Sequence, residues 1–141
     1  MVIIDANVLI YAVNPAGRQH KVARRWLDQA LSGTETVGLA WVALLAFIRL
    51  TTNPSIFPHP LTAGEAGDQV EQWLQAPAAV VASPTARHVS LLRGLLQEAG
   101  TAGNLTTDAH LAALALEHGA EVVSFDRDFA RFAGVRHRLP G

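Results

Sequence analysis

Four aspartates occupy positions in this sequence where carboxylates can act together in catalysis. Asp5 directly follows the first predicted strand, and Asp126 follows the fourth, with Asp128 two residues further along the chain. Asp108 opens a predicted helix directly after a loop. Because functional groups of open α/β sheets gather outside the carboxyl ends of the strands, we expect these side chains to converge on one edge of a sheet.

Converging carboxylates raise one another's pKa values and cost stability unless a cation lies between them. Oxygen ligands in a chain without cysteine favour Mg²⁺ or Mn²⁺ over Zn²⁺. Such an ion lowers the pKa of bound water and stabilises charge on a phosphoryl group, so the pattern predicts phosphodiester hydrolysis. Each residue alone also has a structural interpretation, because Asp5 and Asp126 can cap helices and Asp108 can interact with a helix dipole.

Short apolar runs alternate with helical patterns along the chain. The apolar runs predict four strands, at Val2–Ile4, Val37–Leu39, Ala79–Val81 and Glu121–Ser124. Helical spacing and capping residues predict helices at Ala6–Val13, His20–Leu31, Trp41–Leu50, Thr62–Leu74, Ser83–Ala99, Asp108–Glu117 (capped by Thr107) and Arg127–Phe132. Strands separated by helices predict a parallel sheet with helices on both faces. No repeat or linker interrupts the pattern, so we expect one domain over residues 1–141.

The composition excludes several classes of protein. Half of the residues are hydrophobic and 16% are charged, which is the opposite of a disordered chain. The absence of cysteine excludes disulfides and thiolate chemistry and fits a cytoplasmic protein. The apolar start lacks a basic segment and is interrupted by Asp5, and the run Val37–Ile48 is too short to span a bilayer, so we expect no membrane association. The net charge is −1 but ten of the eleven basic residues are arginine, whose clusters are either solvated faces or an anion-binding surface.

Four segments of the chain are similar to the motifs of one family. Ile3–Leu9 resembles the opening motif of PIN-domain ribonucleases, Asn104–Ala115 resembles their third acidic motif, and Ser124–Phe129 resembles their fourth. Arg49–Pro54 resembles a string found in a subgroup of VapC toxins, which belong to type II toxin-antitoxin systems. The resemblance covers essentially the whole chain, and the motifs occur in the family's order.

The resemblance implies a fold, an activity and a site. The fold is a three-layer α/β/α sandwich with a four- to five-stranded, mainly parallel sheet. The activity is Mg²⁺- or Mn²⁺-dependent endonucleolytic cleavage of RNA of the tRNA or rRNA class. By position, the residues carried over are Asp5, Asp108 and Asp126 as catalytic metal ligands, Asp128 as an outer metal ligand, and Asn7 and Arg127 as substrate-binding residues. The implied partners are a VapB-type antitoxin that lays a C-terminal segment across the toxin, and a second copy of the chain in a homodimer.

One position departs from the family pattern. Many members carry Glu three residues before the arginine that matches Arg49, whereas this chain has Ala46 there and no acidic residue between Glu35 and Glu65. One carboxylate fewer is expected to weaken the binding of a cation. Two hypotheses remain open at this point. Water or RNA phosphate oxygens complete the coordination and activity is retained, or the domain binds RNA or an antitoxin without cutting.

The sequence also bears on a second enzyme class and on the roles of the histidines. An aspartyl phosphatase is an alternative enzyme class, with Asp5 as nucleophile, but the only lysine, Lys21, lies within a predicted amphipathic helix. The histidines show no metal-ligand spacing. We expect His88 and His137, among others, to be surface or cap residues, and His110 to be a structural or groove residue that points away from Asp108.

Overall fold

A five-stranded sheet lies at the centre of the computed structural model, which describes residues 1–141. The strands are β1 (Val2–Ile4), β2 (Val37–Leu39), β3 (Ala79–Val81), β4 (Glu121–Val123) and β5 (His137–Arg138). They are arranged in the order β3-β2-β1-β4-β5, and every neighbouring pair is parallel. Four strands were predicted from the sequence, and the fifth lies in the tail, where no pattern indicated one.

Six α-helices connect and cover the strands. They are α1 (Ala6–Val13), α2 (His20–Leu31), α3 (Trp41–Thr51), α4 (Ala63–Leu74), α5 (His88–Ala99) and α6 (Thr106–His118). Short 3₁₀ helices occur at Gly103–Leu105 and Arg127–Arg131. None of the helices combines the length and the apolar character needed to cross a membrane.

The helices form two layers because side chains alternate along each strand. Val2 and Ile4 of β1 point into a core formed with α1 to α4, whereas Ile3 points into a second core formed with α5 and α6. In β4, Val123 and Val122 are divided between the two cores in the same way. The predicted three-layer α/β/α sandwich is therefore confirmed.

The order of the strands creates a switch point beside β1. The chain proceeds from β1 to β2 and β3 on one side, and then returns to place β4 on the other side of β1. Ligands of open α/β sheets bind where the strand order reverses, outside the carboxyl ends of the strands. Here that place lies between the ends of β1 and β4, which are followed by Asp5 and by Ser124–Asp126.

Two predicted helix starts are wrong. The fifth helix begins at His88 and not at Ser83, because side chains of α6 bind the intervening backbone: the Ser83 carbonyl is hydrogen-bonded to His118, and the Thr85 N–H donates to Glu117. The sixth helix begins at Thr106, so that the predicted cap, Thr107, lies inside its first turn. The position before this helix is Leu105, which provides no side-chain cap.

Candidate active site

Asp5 is almost completely buried at the end of β1, with 9% of the residue exposed. Its Oδ1 accepts a hydrogen bond from the Ala6 N–H at 2.7 Å, which caps α1, and its Oδ2 accepts one from the Ser124 hydroxyl at 2.7 Å. Burial raises the pKa of Asp5, and the nearby charge of Asp126 raises it further, against the lowering effect of these hydrogen bonds. Each oxygen accepts one hydrogen bond and keeps a further lone pair, so the role of Asp5 as nucleophile of a phosphatase stays a hypothesis.

The Ser124 hydroxyl connects the side chains at this edge. It is fully buried and donates its one proton to Asp5. It accepts two hydrogen bonds, from the Asp126 N–H at 2.9 Å and from Nδ2 of Asn7 at 3.0 Å. Ser124 was quoted from the sequence only as part of a motif, yet it determines how three motif residues sit relative to one another. A serine at a strand end has no local feature that reveals this role, because two of its partners are more than 100 residues away.

Asn7 ties the start of α1 to the loop that follows β4. Its Nδ2 donates to Ser124, and its Oδ1 accepts from the Phe125 N–H at 3.2 Å. The Tyr11 and Phe125 rings pack edge to face beside it, with centroids 5.4 Å apart. The amide of Asn7 is thus used inside the protein, and its predicted contact with substrate remains a prediction.

Asp126 caps the short 3₁₀ helix that follows β4, as its structural interpretation predicted. Its Oδ1 accepts a hydrogen bond from the Asp128 N–H at 2.8 Å. Asp128 and Arg127 are both exposed at the start of this helix. The motif that follows β4 therefore places two carboxylates and a guanidinium at the start of this short helix.

Asp108 lies half-buried in the first turn of α6. Burial raises its pKa to about 6, with further contributions from the negative charges of Asp5, Asp126 and Asp128. Coulombic repulsion of this kind requires the groups to be near each other, so the four aspartates share one electrostatic environment as the sequence predicted. Arg131 lowers the pKa of Asp108 in turn, and the sequence analysis did not assign this arginine to the site.

Residues 2–135 match the model of the PIN domain family. The chain is 56% identical over 140 residues to ribonuclease VapC37 of Mycobacterium tuberculosis, which covers 99% of this chain and 97% of the relative. The chain is a VapC-type member of the PIN domain family. Ribonuclease VapC25 of the same organism is 42% identical over 140 residues, covering 99% of both chains.

Solved structures show that the VapC-type fold extends over the chain. VapC20 of M. tuberculosis, described as a sarcin-ricin loop cleaving toxin, has a TM-score of 0.69 at 19% identity, covering 96% of this chain and 99% of its own. DNA-bound VapBC from Salmonella typhimurium has a TM-score of 0.69 at 19% identity, covering 99% and 98%. At this level of identity, these likenesses concern the fold alone.

The carboxylates of this VapC-type domain do not form a closed coordination sphere. No three His, Asp or Glu side chains lie in an arrangement that can hold a metal ion by themselves. Helix α3 contributes no carboxylate, because its sequence contains no Asp or Glu. Ala46 is partly buried on this helix, and Arg49 is exposed one turn later. A cation at this edge would therefore depend on oxygen ligands from outside the protein as well.

Two histidines of this VapC-type domain are not the surface or cap residues that the sequence analysis expected. His137, on β5, stacks on Phe129 with centroids 5.8 Å apart, and its Nε2 lies 3.0 Å from the Ser124 carbonyl oxygen. His88, at the start of α5, is hydrogen-bonded to Glu117 and to His110 of α6. The expected structural role of His110 agrees with this contact. These partners lie far away in sequence, so spacing alone did not indicate them.

Proposed function

We propose that this VapC-type chain is the ribonuclease toxin of a toxin-antitoxin pair and hydrolyses RNA phosphodiester bonds with the help of a divalent cation. The observation that carries the proposal is the position of Asp5 and Asp126 after the neighbouring strand ends of β1 and β4, at the switch point of the sheet, with Asp108 within electrostatic range. Carboxylates that repel each other at a ligand-binding edge are stabilised when a cation binds between them.

The donor set fits Mg²⁺ or Mn²⁺. The available ligands are carboxylate oxygens, and the chain contains no cysteine. Asp5, Asp108 and Asp126 would hold the ion, Asp128 would act as an outer ligand, and water or RNA phosphate oxygens would supply the remaining positions. When bound, the ion supplies a water of lowered pKa and neutralises charge on the phosphoryl group.

The residues of the chain itself prepare this edge for a phosphodiester. Ser124 and the Ala6 N–H hold the Asp5 carboxylate in a single orientation, which leaves little reorganisation for the reaction. Arg127 and Arg131 lie on the same rim, where guanidinium groups can bind RNA phosphates. We propose Asn7 as a positioning residue that also faces the substrate. The substrate class is tRNA or rRNA, and the sarcin-ricin loop named for VapC20 provides a first oligonucleotide to try.

The proposed protein partner is a VapB-type antitoxin. The structural neighbours include VapBC2 from Rickettsia felis and VapBC from Salmonella typhimurium, each described as bound to DNA. On this chain, Trp41 and Leu45 are 48% and 57% exposed one helical turn apart on α3. Such an apolar surface suits burial against an antitoxin or against a second copy in the proposed homodimer.

A second candidate is a module that binds RNA or an antitoxin without cutting. Ala46 favours it, because the carboxylate that many family members carry at this position is missing. The open arrangement of the remaining carboxylates also favours it.

The deciding experiment compares wild type, Asp5→Asn and Asp28→Asn on total RNA with Mg²⁺, with Mn²⁺ and with EDTA. Asp28 is exposed on α2 and is paired only with Arg24, so its variant controls for the substitution itself. We expect metal-dependent fragments from wild type and from Asp28→Asn, and none from Asp5→Asn or in EDTA. A folded wild-type protein that produces no fragments at any metal concentration would overturn the nuclease proposal, and Ala46→Glu would then show whether one added carboxylate restores cleavage.

A further inference from the structure

A chain of hydrogen bonds joins the start of α5 to two turns of α6. Glu117 accepts from the Thr85 N–H at 2.7 Å and from the Thr85 hydroxyl at 2.6 Å through Oε1. Its Oε2 lies 2.5 Å from Nδ1 of His88, and Nε2 of His88 lies 2.8 Å from Nδ1 of His110. We call these four residues, Thr85, His88, His110 and Glu117, the α5–α6 clamp. None of them takes part in the acidic site described above.

The chemistry of the clamp fixes the direction of its hydrogen bonds. Although burial raises the pKa of Glu117, hydrogen bonds from Thr85 and His88 outweigh this effect and hold that pKa below its usual range. An ionised carboxylate only accepts, so Nδ1 of His88 must carry a proton. When both imidazoles are neutral, Nε2 of His88 carries no proton and accepts from the Nδ1–H of His110.

The clamp lies near Asp108, one of the four carboxylates (Asp5, Asp108, Asp126 and Asp128) that we call the acidic edge. Asp108 is two residues before His110, in the first turn of α6. That turn has no side-chain cap, and residues 101–104 before it are exposed. The Asp108 carboxylate receives no hydrogen bond that would lower its pKa. The contact of His110 with His88 is thus the polar anchor nearest to Asp108 along the helix.

The clamp does not form a ligand site of its own. Glu117 and His110 bind opposite nitrogens of the His88 ring, so the three side chains cannot surround one cation, and no group of three metal-binding side chains is present. Every buried side-chain nitrogen and oxygen atom also has a hydrogen-bond partner, which leaves no group waiting for a ligand. Its geometry suits holding two helices in register.

We propose that the α5–α6 clamp is a positioning device: it holds the first turn of α6 against α5 and thereby sets Asp108 for cation binding at the acidic edge. The inference rests on the proposed function, because it concerns the metal site. Its residues touch neither the reacting groups nor the substrate, and act through the backbone of α6. In other metal sites, groups that orient the metal ligands without binding the metal change the affinity for the metal by about 10- to 100-fold.

The test uses three variants of the full chain. His88→Ala removes the central ring and breaks the clamp. Glu117→Gln preserves it in reversed form: the amide oxygen still accepts from Thr85, the amide nitrogen donates to Nδ1 of His88, and His88 then donates from Nε2 to His110. Val89→Ala is the matched control, because Val89 follows His88 on α5 and is 72% exposed.

Two measurements are made on each variant without RNA. Calorimetric titration with Mn²⁺ gives the dissociation constant, and hydrogen exchange gives the protection of the amides of residues 110–113. For His88→Ala, we expect about 10-fold weaker Mn²⁺ binding and faster exchange in these amides, with the sheet amides unchanged. Glu117→Gln and Val89→Ala should stay within about twofold of wild type in both measurements.

Each other outcome has a definite meaning. Unchanged Mn²⁺ binding by His88→Ala, or unchanged protection of residues 110–113, overturns the positioning role. Equal damage from Glu117→Gln also overturns it, because the negative charge and not the connected chain would then matter. If wild type binds no Mn²⁺ in this titration and also produces no metal-dependent fragments from RNA, the proposed function fails separately. The exchange data then still decide whether the clamp holds the turn of Asp108.

Discussion

At the ends of β1 and β4, hydrogen bonds from the protein hold the carboxylates of Asp5 and Asp126, whereas none holds the carboxylate of Asp108 on α6. We call Asp5, Asn7, Ser124 and Asp126 the strand-end side of the site. It is built around the buried hydroxyl of Ser124, which contacts both Asp5 and the backbone of Asp126. The helix side, which is the first turn of α6 with Asp108, begins without a cap. Burial and the negative charges of the other aspartates raise the pKa of Asp108 to about 6.

This difference separates two ways of keeping a charged group at a site. Asp5 is buried more deeply than Asp108, yet its hydrogen bonds offset part of the cost of its charge. Asp108 has no such compensation and is destabilised by burial and by its neighbours. The strand-end side is therefore organised before any ligand arrives. In the proposals made above, a cation stabilises the helix side and the α5–α6 clamp positions it.

The largest effect is expected from Ser124→Ala, which removes the organising hydroxyl of the strand-end side. Asp5 loses a donor, while the Asp126 N–H and the Asn7 amide lose their acceptor. We expect Mn²⁺ affinity to fall by about 10- to 100-fold and the free energy of unfolding to fall by about 2 kcal/mol. Calorimetry and urea unfolding measure the two quantities.

Ser32→Ala is the matched control for this change. Ser32 directly follows the last residue of α2, and its exposed hydroxyl donates to the Asp28 carbonyl of that helix. Its removal should change stability by no more than about 0.5 kcal/mol and leave Mn²⁺ binding unchanged. If Ser124→Ala behaves like Ser32→Ala, then the strand-end side is not organised by its hydrogen bonds and the comparison with Asp108 is lost.

The same substitution at Asp5 and at Asp108 should have opposite effects on stability in EDTA near neutral pH. In Asp5→Asn, the new amide N–H₂ faces Ser124, whose oxygen already accepts two hydrogen bonds, so we expect a loss of about 1–2 kcal/mol. In Asp108→Asn, no hydrogen bond is lost and a repelled charge disappears. After allowance for solvent screening, we expect a gain of about 1 kcal/mol. Urea unfolding of both variants measures the signs, and equal signs would contradict the comparison.

The sequence predicted the strand-end side better than the helix side, for a physical reason. The strands Val2–Ile4 and Val37–Leu39 were located correctly, because buried parallel strands leave short apolar runs. The edge strand Ala79–Val81 was located by a similar apolar run, although its two valines are exposed. A carboxylate that directly follows such a run must lie at the edge of the sheet, which located Asp5 and Asp126. The start of the fifth helix was wrong because α6 holds the backbone of residues 83–85, and no local pattern records a distant partner.

The same limit applies to the parts of the site that were missed. The roles of Ser124 and His88 depend on partners 22 to 119 residues away in the sequence. Ser124 was visible only as part of a motif, and His88 lacked a metal-ligand spacing. Arg131 was one of the ten arginines counted in the sequence, but no pattern indicated that it is the cation that acts on Asp108. The residue types in the sequence were enough to identify the charged side chains of the site. Only the fold showed which groups donate hydrogen bonds to them or lie close enough to shift their pKa values.

The smallest effect is a pH dependence that distinguishes Asp108 from the rest of the molecule. Since its pKa is raised from 3.8 to about 6, the folded protein binds a proton between about pH 4 and about pH 6 that the unfolded chain does not bind. The stabilisation from this proton is complete below about pH 4 and is lost as the pH rises through about 6. In EDTA, the Tm of wild type relative to Asp108→Asn should therefore fall between pH 4 and pH 7. Mn²⁺ competes with the same proton, so it should raise the Tm of wild type more at about pH 7 than at about pH 5.

Asp28→Asn, measured alongside, should follow wild type at every pH. A difference between wild type and Asp108→Asn that stays constant with pH would mean that burial and the strand-end carboxylates do not raise the pKa of Asp108, and a cation would then have no special reason to bind beside it.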